Sequence, residues 1–174
     1  MKYNFKRCKH FLNEFLKELK EELKEDLLAV ALFGSLARGK AKPGSDIDML
    51  FVYRNGKRDK VRSRFSKVGL AFREREEYKN FEKRGFRPDI FPVFLSEKEL
   101  KEGPWVLLDI QDHGIILYDP HKILKRRFIS LKKRLKELGS KKVNLPDGKY
   151  YWDLKPDWKP GEVISLALKN GENL

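Results

Sequence analysis

Apolar positions along this chain recur with two different periods, and each period predicts a different kind of element. From residue 2 to about 26, Phe5, Cys8, Phe11, Leu12, Phe15, Leu16, Leu19 and Leu23 are spaced by three and four, with Lys and Glu between them, which predicts one amphipathic helix. Cys8 falls on the apolar stripe and reads as a core thiol. Leu27 to Phe33 is a continuous apolar run of strand length that stops at Gly34-Ser35. Ile47 to Tyr53 is a second strand, closed by a turn at Arg54-Asn55-Gly56. Residues 59–84 are densely charged, with Val61, Phe65, Val68, Leu70, Phe72, Tyr78 and Phe81 spread among them; this predicts one or two exposed helices, broken near Gly69 and ended by Gly85 as a C-cap.

The second half continues the alternation. Pro88 to Leu95 is a third apolar run, and Pro92 makes it an edge or bulged strand. Ser96 and Glu99 have capping-box spacing, so a helix starts there. Gly114 to Tyr118 is a short strand. Residues 121–138 are helical, with Leu124, Phe128, Leu131, Leu135 and Leu138 on one stripe. The tail, 139–174, is rich in Pro, Gly, Trp and Tyr; it is expected to be extended, with a last strand at Val163 to Leu168. The alternation argues for an α/β (α+β) domain, a small mixed sheet flanked by helices. The expected organisation is a domain over 1–120, a basic amphipathic helix over 121–138 packed on it, and the tail.

Composition narrows the function. The 174 residues carry 39 basic and 26 acidic side chains, a net charge of +13, and such a balance favours polyanions or acidic protein surfaces. Abundant Lys and Glu with a single Gln, Gln111, fit a thermophile, which weakens the charge argument. With one cysteine, neither an internal disulfide nor a cysteine zinc cluster can form. No apolar run approaches the roughly 20 residues of a membrane span, and the charged N-terminus has no secretory core. The expectation is a cytoplasmic protein without membrane partners.

The chemistry concentrates in Phe33-Gly34-Ser35-Leu36-Ala37-Arg38-Gly39 and Ser45-Asp46-Ile47-Asp48-Met49-Leu50. A buried strand ending in Gly-Ser permits a tight turn whose backbone N–H groups, with the Ser35 hydroxyl, can hold a phosphate. Arg38 adds a permanent positive charge, or pairs with Asp46 or Asp48. Asp46 and Asp48 are two apart in a strand, so both carboxylates point to one face. Their repulsion is relieved by a hard divalent cation such as Mg²⁺ carrying substrate phosphates. A third carboxylate on a neighbouring strand would complete a two-metal site; Asp89, beside an apolar run, is the candidate, with Asp109, Asp112 and Asp119 in reserve. Ser45 either caps the preceding turn or joins Gly34, Ser35 and Arg38 at the nucleotide.

The string Gly-Ser-x-Ala-Arg-Gly, five further residues, then Ser-Asp-Ile-Asp resembles the signature of polymerase-beta-type nucleotidyltransferases, most closely the minimal nucleotidyltransferase domains, over roughly residues 10 to 120. The resemblance implies the polymerase-beta-like fold and transfer of a nucleoside monophosphate, AMP from ATP being the implied case, to a hydroxyl with release of pyrophosphate. It implies that Gly34 and Ser35 bind the β- and γ-phosphates, that Asp46 and Asp48 bind the metals, and that Asp89 binds the metal at the acceptor hydroxyl and takes its proton. It implies an acceptor that is a protein hydroxyl, as in antitoxin-type members that adenylate a helical toxin partner, or else RNA or a small molecule.

Other features carry weaker signals. The helix of 121–138 holds Lys122, Lys125, Arg126, Arg127, Lys132, Lys133, Arg134 and Lys136, and Arg58, Lys60, Arg62, Arg64 and Lys67 form a second basic run. Each is a solvated face or an RNA contact. The alternative function is therefore a nucleotide- or RNA-binding module without turnover, or a subunit that needs a partner to complete its acceptor site. His10, His113 and His121 have no ligand spacing. The tail aromatics from Tyr150 to Trp158 either anchor the tail or stack on a base.

Overall fold

The computed structural model describes residues 3–169 and 171–174. Helix α1 runs Phe5–Leu23, its first turn capped by the Asn4 side chain on the Arg7 amide. The expected start at residue 2 lies outside the described residues. Strand β1 is Leu27–Leu32, followed by the short helix α2, Gly34–Ala37, and strand β2, Ile47–Tyr53. Helices α3 (Arg58–Arg73) and α4 (Glu76–Lys83) lead to β3, Ile90–Ser96. Helices α5 (Glu97–Glu102) and α6 (Val106–His113) precede β4, Ile115–Tyr118. Helix α7 is Ile123–Glu137, and β5 (Lys141–Asn144) pairs with β6 (Tyr150–Asp153).

The main sheet has the order β3-β2-β1-β4. β1 is antiparallel to both neighbours and β2 is parallel to β3, so the sheet is mixed. β1 is buried along its whole length, as a continuous apolar run requires of a central strand. Two apolar layers cover the sheet. Residues Ile47, Met49, Phe51 and Tyr53 of β2 face a core shared with α1, α3 and α4. Leu50 and Val52 face the other, shared with α5, α6 and α7. Cys8 is fully buried, and burial pushes its thiol up to about 11, which leaves it inert.

Several expectations hold in detail. The Ser96–Glu99 capping box opens α5, β3 with Pro92 is an edge strand, and Gly85, at φ +77°, closes α4. Others need correction. Gly69 lies inside α3; the break comes at Glu74–Arg75, where Arg75 is extended and starts α4. Burial of Val61, Val68 and Phe72 carries the helix through the glycine, whose intrinsic cost is only about 1 kcal/mol. The helix opened at Ser96 is two helices, divided at Gly103-Pro104. No strand forms at Val163 to Leu168. The tail's strands are instead β5 and β6, joined by a turn at Leu145–Gly148 in which the Leu145 N–H donates to the Lys149 carbonyl (2.8 Å).

What fixes the far tail is Arg127. It is fully buried, and its guanidinium donates to the Leu100 carbonyl (2.8 Å) and to the Leu166 carbonyl. Leu166 is itself buried in the α5–α7 core, and the Leu168 N–H donates to the Lys101 carbonyl.

Candidate functional site

The two halves of the signature meet at one end of the β1–β2 pair. β1 ends where β2 begins, with Leu32 opposite Met49 and the Phe33 N–H on the Asp48 carbonyl (2.9 Å). The chain then turns through Gly34 at φ +69° into α2. A Cβ added at Gly34 would fall inside the Asp48 carboxylate. Only glycine both adopts this conformation without strain and leaves that space open. Asp48 accordingly lies against the turn, where the Ser35 backbone N–H favours its charged form.

Asp46 and Asp48 share the face of Leu50 and Val52, the α6–α7 side of the sheet, by the strand's two-residue alternation. Asp46 is exposed and Asp48 half-buried. Burial first, and then the neighbouring Asp46 charge, push the Asp48 carboxyl above its usual range, while Arg38 pulls the other way. Two oxygen-donor carboxylates held together against their own repulsion fit a hard divalent cation. Arg38, at the end of α2, is exposed, and among the described residues it forms no ion pair. Ser45 is engaged in its turn: its hydroxyl accepts the Lys42 N–H (2.9 Å).

Asp89 is not gathered with the pair. Its backbone lies beside β2, the Ile47 N–H donating to its carbonyl (2.8 Å) in the register that sets Ile47 opposite Ile90. Its carboxylate, however, accepts the Tyr78 hydroxyl (2.8 Å) and pairs with Arg73 (2.8 Å), both on the α1–α3–α4 side. Among the described residues no three acidic, His or Cys side chains stand close enough to share a metal. Burial and the bond to Asp89 raise the Tyr78 phenol to about 12, so it stays a donor. Of the reserve acids, Asp109 accepts the Tyr150 hydroxyl (2.6 Å) and Asp112 pairs with Lys142.

A second group borders the site: Asp109 and Tyr150 are each named from the sequence, but the hairpin that brings them together is not. Helix α6 packs on α2, and the β5–β6 hairpin packs on α6. Burial and the bond to Asp109 raise the Tyr150 phenol to about 12, and Arg38 is the positive charge that opposes this. Lys142 stands over the Tyr150 ring, 3.8 Å from its centre. The available signal was the Leu145-Pro146-Asp147-Gly148 segment, whose Asp-Gly is a hairpin turn sequence.

The comparisons with known proteins follow this geometry. A sequence profile described as "Nucleotidyltransferase domain" matches residues 12–117, from α1 through β4. The chain belongs to that nucleotidyltransferase domain family. It is thus an enzyme of the nucleotidyltransferase class, with the polymerase-beta-like mixed sheet. No curated protein sequence matches it. Among solved structures, spectinomycin adenyltransferase from Enterococcus faecialis, crystallised with ATP and spectinomycin, is similar at 16% identity with a TM-score of 0.50, over 74% of this chain and 66% of that one. A toxin–antitoxin complex with AMP-PNP is similar at 16% identity and a TM-score of 0.45, over 71% of this chain and 89% of that one. A tri-AMPylated HEPN toxin with its MNT antitoxin from Shewanella oneidensis gives 15% identity and a TM-score of 0.41, over 72% and 86%. At these identities the likeness is one of fold. No helix of this nucleotidyltransferase, among the described residues, is long and apolar enough to cross a membrane.

Proposed function

We propose that this nucleotidyltransferase moves AMP from ATP to a hydroxyl of a partner protein and releases pyrophosphate. The observation that carries it is the seating of Asp48 in the space that Gly34 leaves open, which joins a phosphate-holding turn to a carboxylate pair. The adenine nucleotide is supported by the fold shared with an enzyme crystallised with ATP. Asp46 and Asp48 would hold Mg²⁺, which when bound neutralises triphosphate charge.

The chain's own groups do the rest. The turn at Gly34 and Ser35 holds the β- and γ-phosphates, and Arg38 adds charge beside them. The acceptor oxygen bonds to the α-phosphorus, the bond from that phosphorus to the β-phosphate oxygen breaks, and pyrophosphate leaves with the electron pair. Asp89 is the group proposed to take the acceptor proton. It must first turn from Arg73 and Tyr78 toward Asp46, its neighbour in register. Most of the rate comes from positioning and charge neutralisation.

RNA is the second acceptor, favoured by one observation. Among the described residues Lys125, Arg126, Lys132, Lys133 and Lys136 of α7 form no ion pair, whereas Arg58, Lys60, Arg64 and Lys67 of α3 are all paired with acids. The test is transfer from α-³²P-ATP with Mg²⁺ into a host lysate, resolved into protein, RNA and small-molecule fractions. Label in the protein fraction with wild type and not with D46N/D48N supports the proposal. Label in RNA alone replaces the acceptor, and equal label from the double variant refutes the site.

A further inference from the structure

The C-terminal hairpin lies beyond residues 12–117, and nucleotidyl transfer as described gives it no task. It frames, with α6, a cleft of about 350 Å³. Trp105 and Leu108 line one wall, and Tyr151 and Trp152 the other. Trp105 is 61% exposed and Tyr151 is 52% exposed. Two large rings from different elements are therefore held in water at the mouth of one cleft, where anchoring the tail would have buried them. Anchoring is done by Trp152 and Leu154, which pack against the α5–α7 core, and farther along the tail by Arg127 and Leu166.

The cleft lies beside the phosphate-holding turn through α6, which lines the cleft and packs on α2. Tyr150 and Asp109 belong to its lining and are bonded to each other. Arg38 lies within electrostatic reach of both Tyr150 and Asp48. One exposed cation, at the end of α2, is thus near both the carboxylate pair and the aromatic cleft. A ligand with a polyanionic end and a flat aromatic end matches that order of groups, and a nucleoside triphosphate is such a ligand.

We propose that the cleft between α6 and the C-terminal hairpin is the nucleobase subsite, the base stacking on Trp105 and Tyr151 while the triphosphate runs past Arg38 to Gly34 and Ser35. This rests on the nucleotidyl transfer proposed above. Asp109 lines the cleft as a hydrogen-bond acceptor, so a base with an exocyclic amine is preferred over uracil. The tail then becomes the part of the chain that selects the nucleotide.

The test is calorimetric titration of the full chain, with Mg²⁺, by ATP, UTP and inorganic tripolyphosphate. Wild type is expected to bind ATP more tightly than UTP or tripolyphosphate. Trp105→Ala and Tyr151→Ala are each expected to weaken ATP binding about tenfold, and Trp105→Phe only slightly, with tripolyphosphate binding unchanged in all three. Photolabelling of wild type with 8-azido-ATP, which depends on no variant folding, should mark peptides holding Trp105 or Tyr151. Unchanged ATP affinity in both alanine variants, or label confined to other peptides, overturns the subsite alone. Wild type that binds neither ATP nor tripolyphosphate overturns the nucleotide site itself, and the subsite with it.

Discussion

Gly34 and Asp48 compete for one volume: the carboxylate of Asp48 occupies the place where any side chain on Gly34 would begin. Gly34→Ala therefore carries two penalties, a Cβ at φ +69° and a displaced acid. The expected result is a loss of about 1–3 kcal/mol of stability, read by denaturant titration. Transfer should fall at least a hundredfold at temperatures where the variant is still folded, because the acid has been moved.

The same proximity makes Asp48 costly to the fold. Its carboxyl is raised from the ordinary 3.8 by burial and by Asp46. A raised acid stabilises the folded state most when protonated, below its unfolded value, and that contribution is lost as pH rises through the folded value. At neutral pH the ionised Asp48 is a net cost. Asp48→Asn should abolish transfer yet raise Tm at pH 7 by on the order of 2 °C, with the gain vanishing near pH 3. Mg²⁺ should raise the Tm of wild type and leave that of D46N/D48N unmoved. A lower Tm for D48N at pH 7 would mean that the repulsion is already relieved within the protein.

Asp89 gives a prediction of opposite sign at two neighbouring residues. If its carboxylate serves the reaction only after leaving Arg73 and Tyr78, Asp89→Asn should cost at least a hundredfold in kcat. Tyr78→Phe and Arg73→Ala should leave kcat unchanged or raise it. Steady-state kinetics of the three variants decides this. A collapse of kcat in R73A equal to that in D89N would make the ion pair itself part of the working site.

Arg127→Met tests the fastening of the tail. The change keeps the volume and removes the donors to the Leu100 and Leu166 carbonyls, which stay buried. A loss of about 2 kcal/mol is expected. Limited proteolysis should cut faster around residues 155–165, and intact-mass analysis would identify the fragments. Wild-type cleavage rates would mean that Leu166 holds the tail by packing alone.

The carboxylate pair and the turn before it were legible because each is a local rule: a Gly-Ser at a strand end, and acids two apart in a strand. The sheet was legible for the same reason, its apolar runs being short and bounded. Asp89 was singled out as a residue, but its conformation was not legible. Its carboxylate is set by Arg73 and Tyr78, which reach it from helices that the sequence pattern does not orient. The division of α3 from α4 carries no Gly or Pro to announce it. The hairpin strands are four residues each, with charged and aromatic positions in place of an apolar alternation, so Asp147-Gly148 was their one local mark.

Pro92 stands in the middle of β3 at the open edge of the sheet. The Asp89 carbonyl faces β2, so by alternation Ile90, Pro92 and Phe94 turn their backbone groups outward. The edge therefore lacks a donor at its centre and offers no continuous template for another strand. A polypeptide acceptor of the kind proposed therefore cannot extend the sheet at the β3 edge, next to the strand that carries Asp48. On that side it would be recognised through side chains and shape, which leaves the choice of acceptor free to change without disturbing that strand.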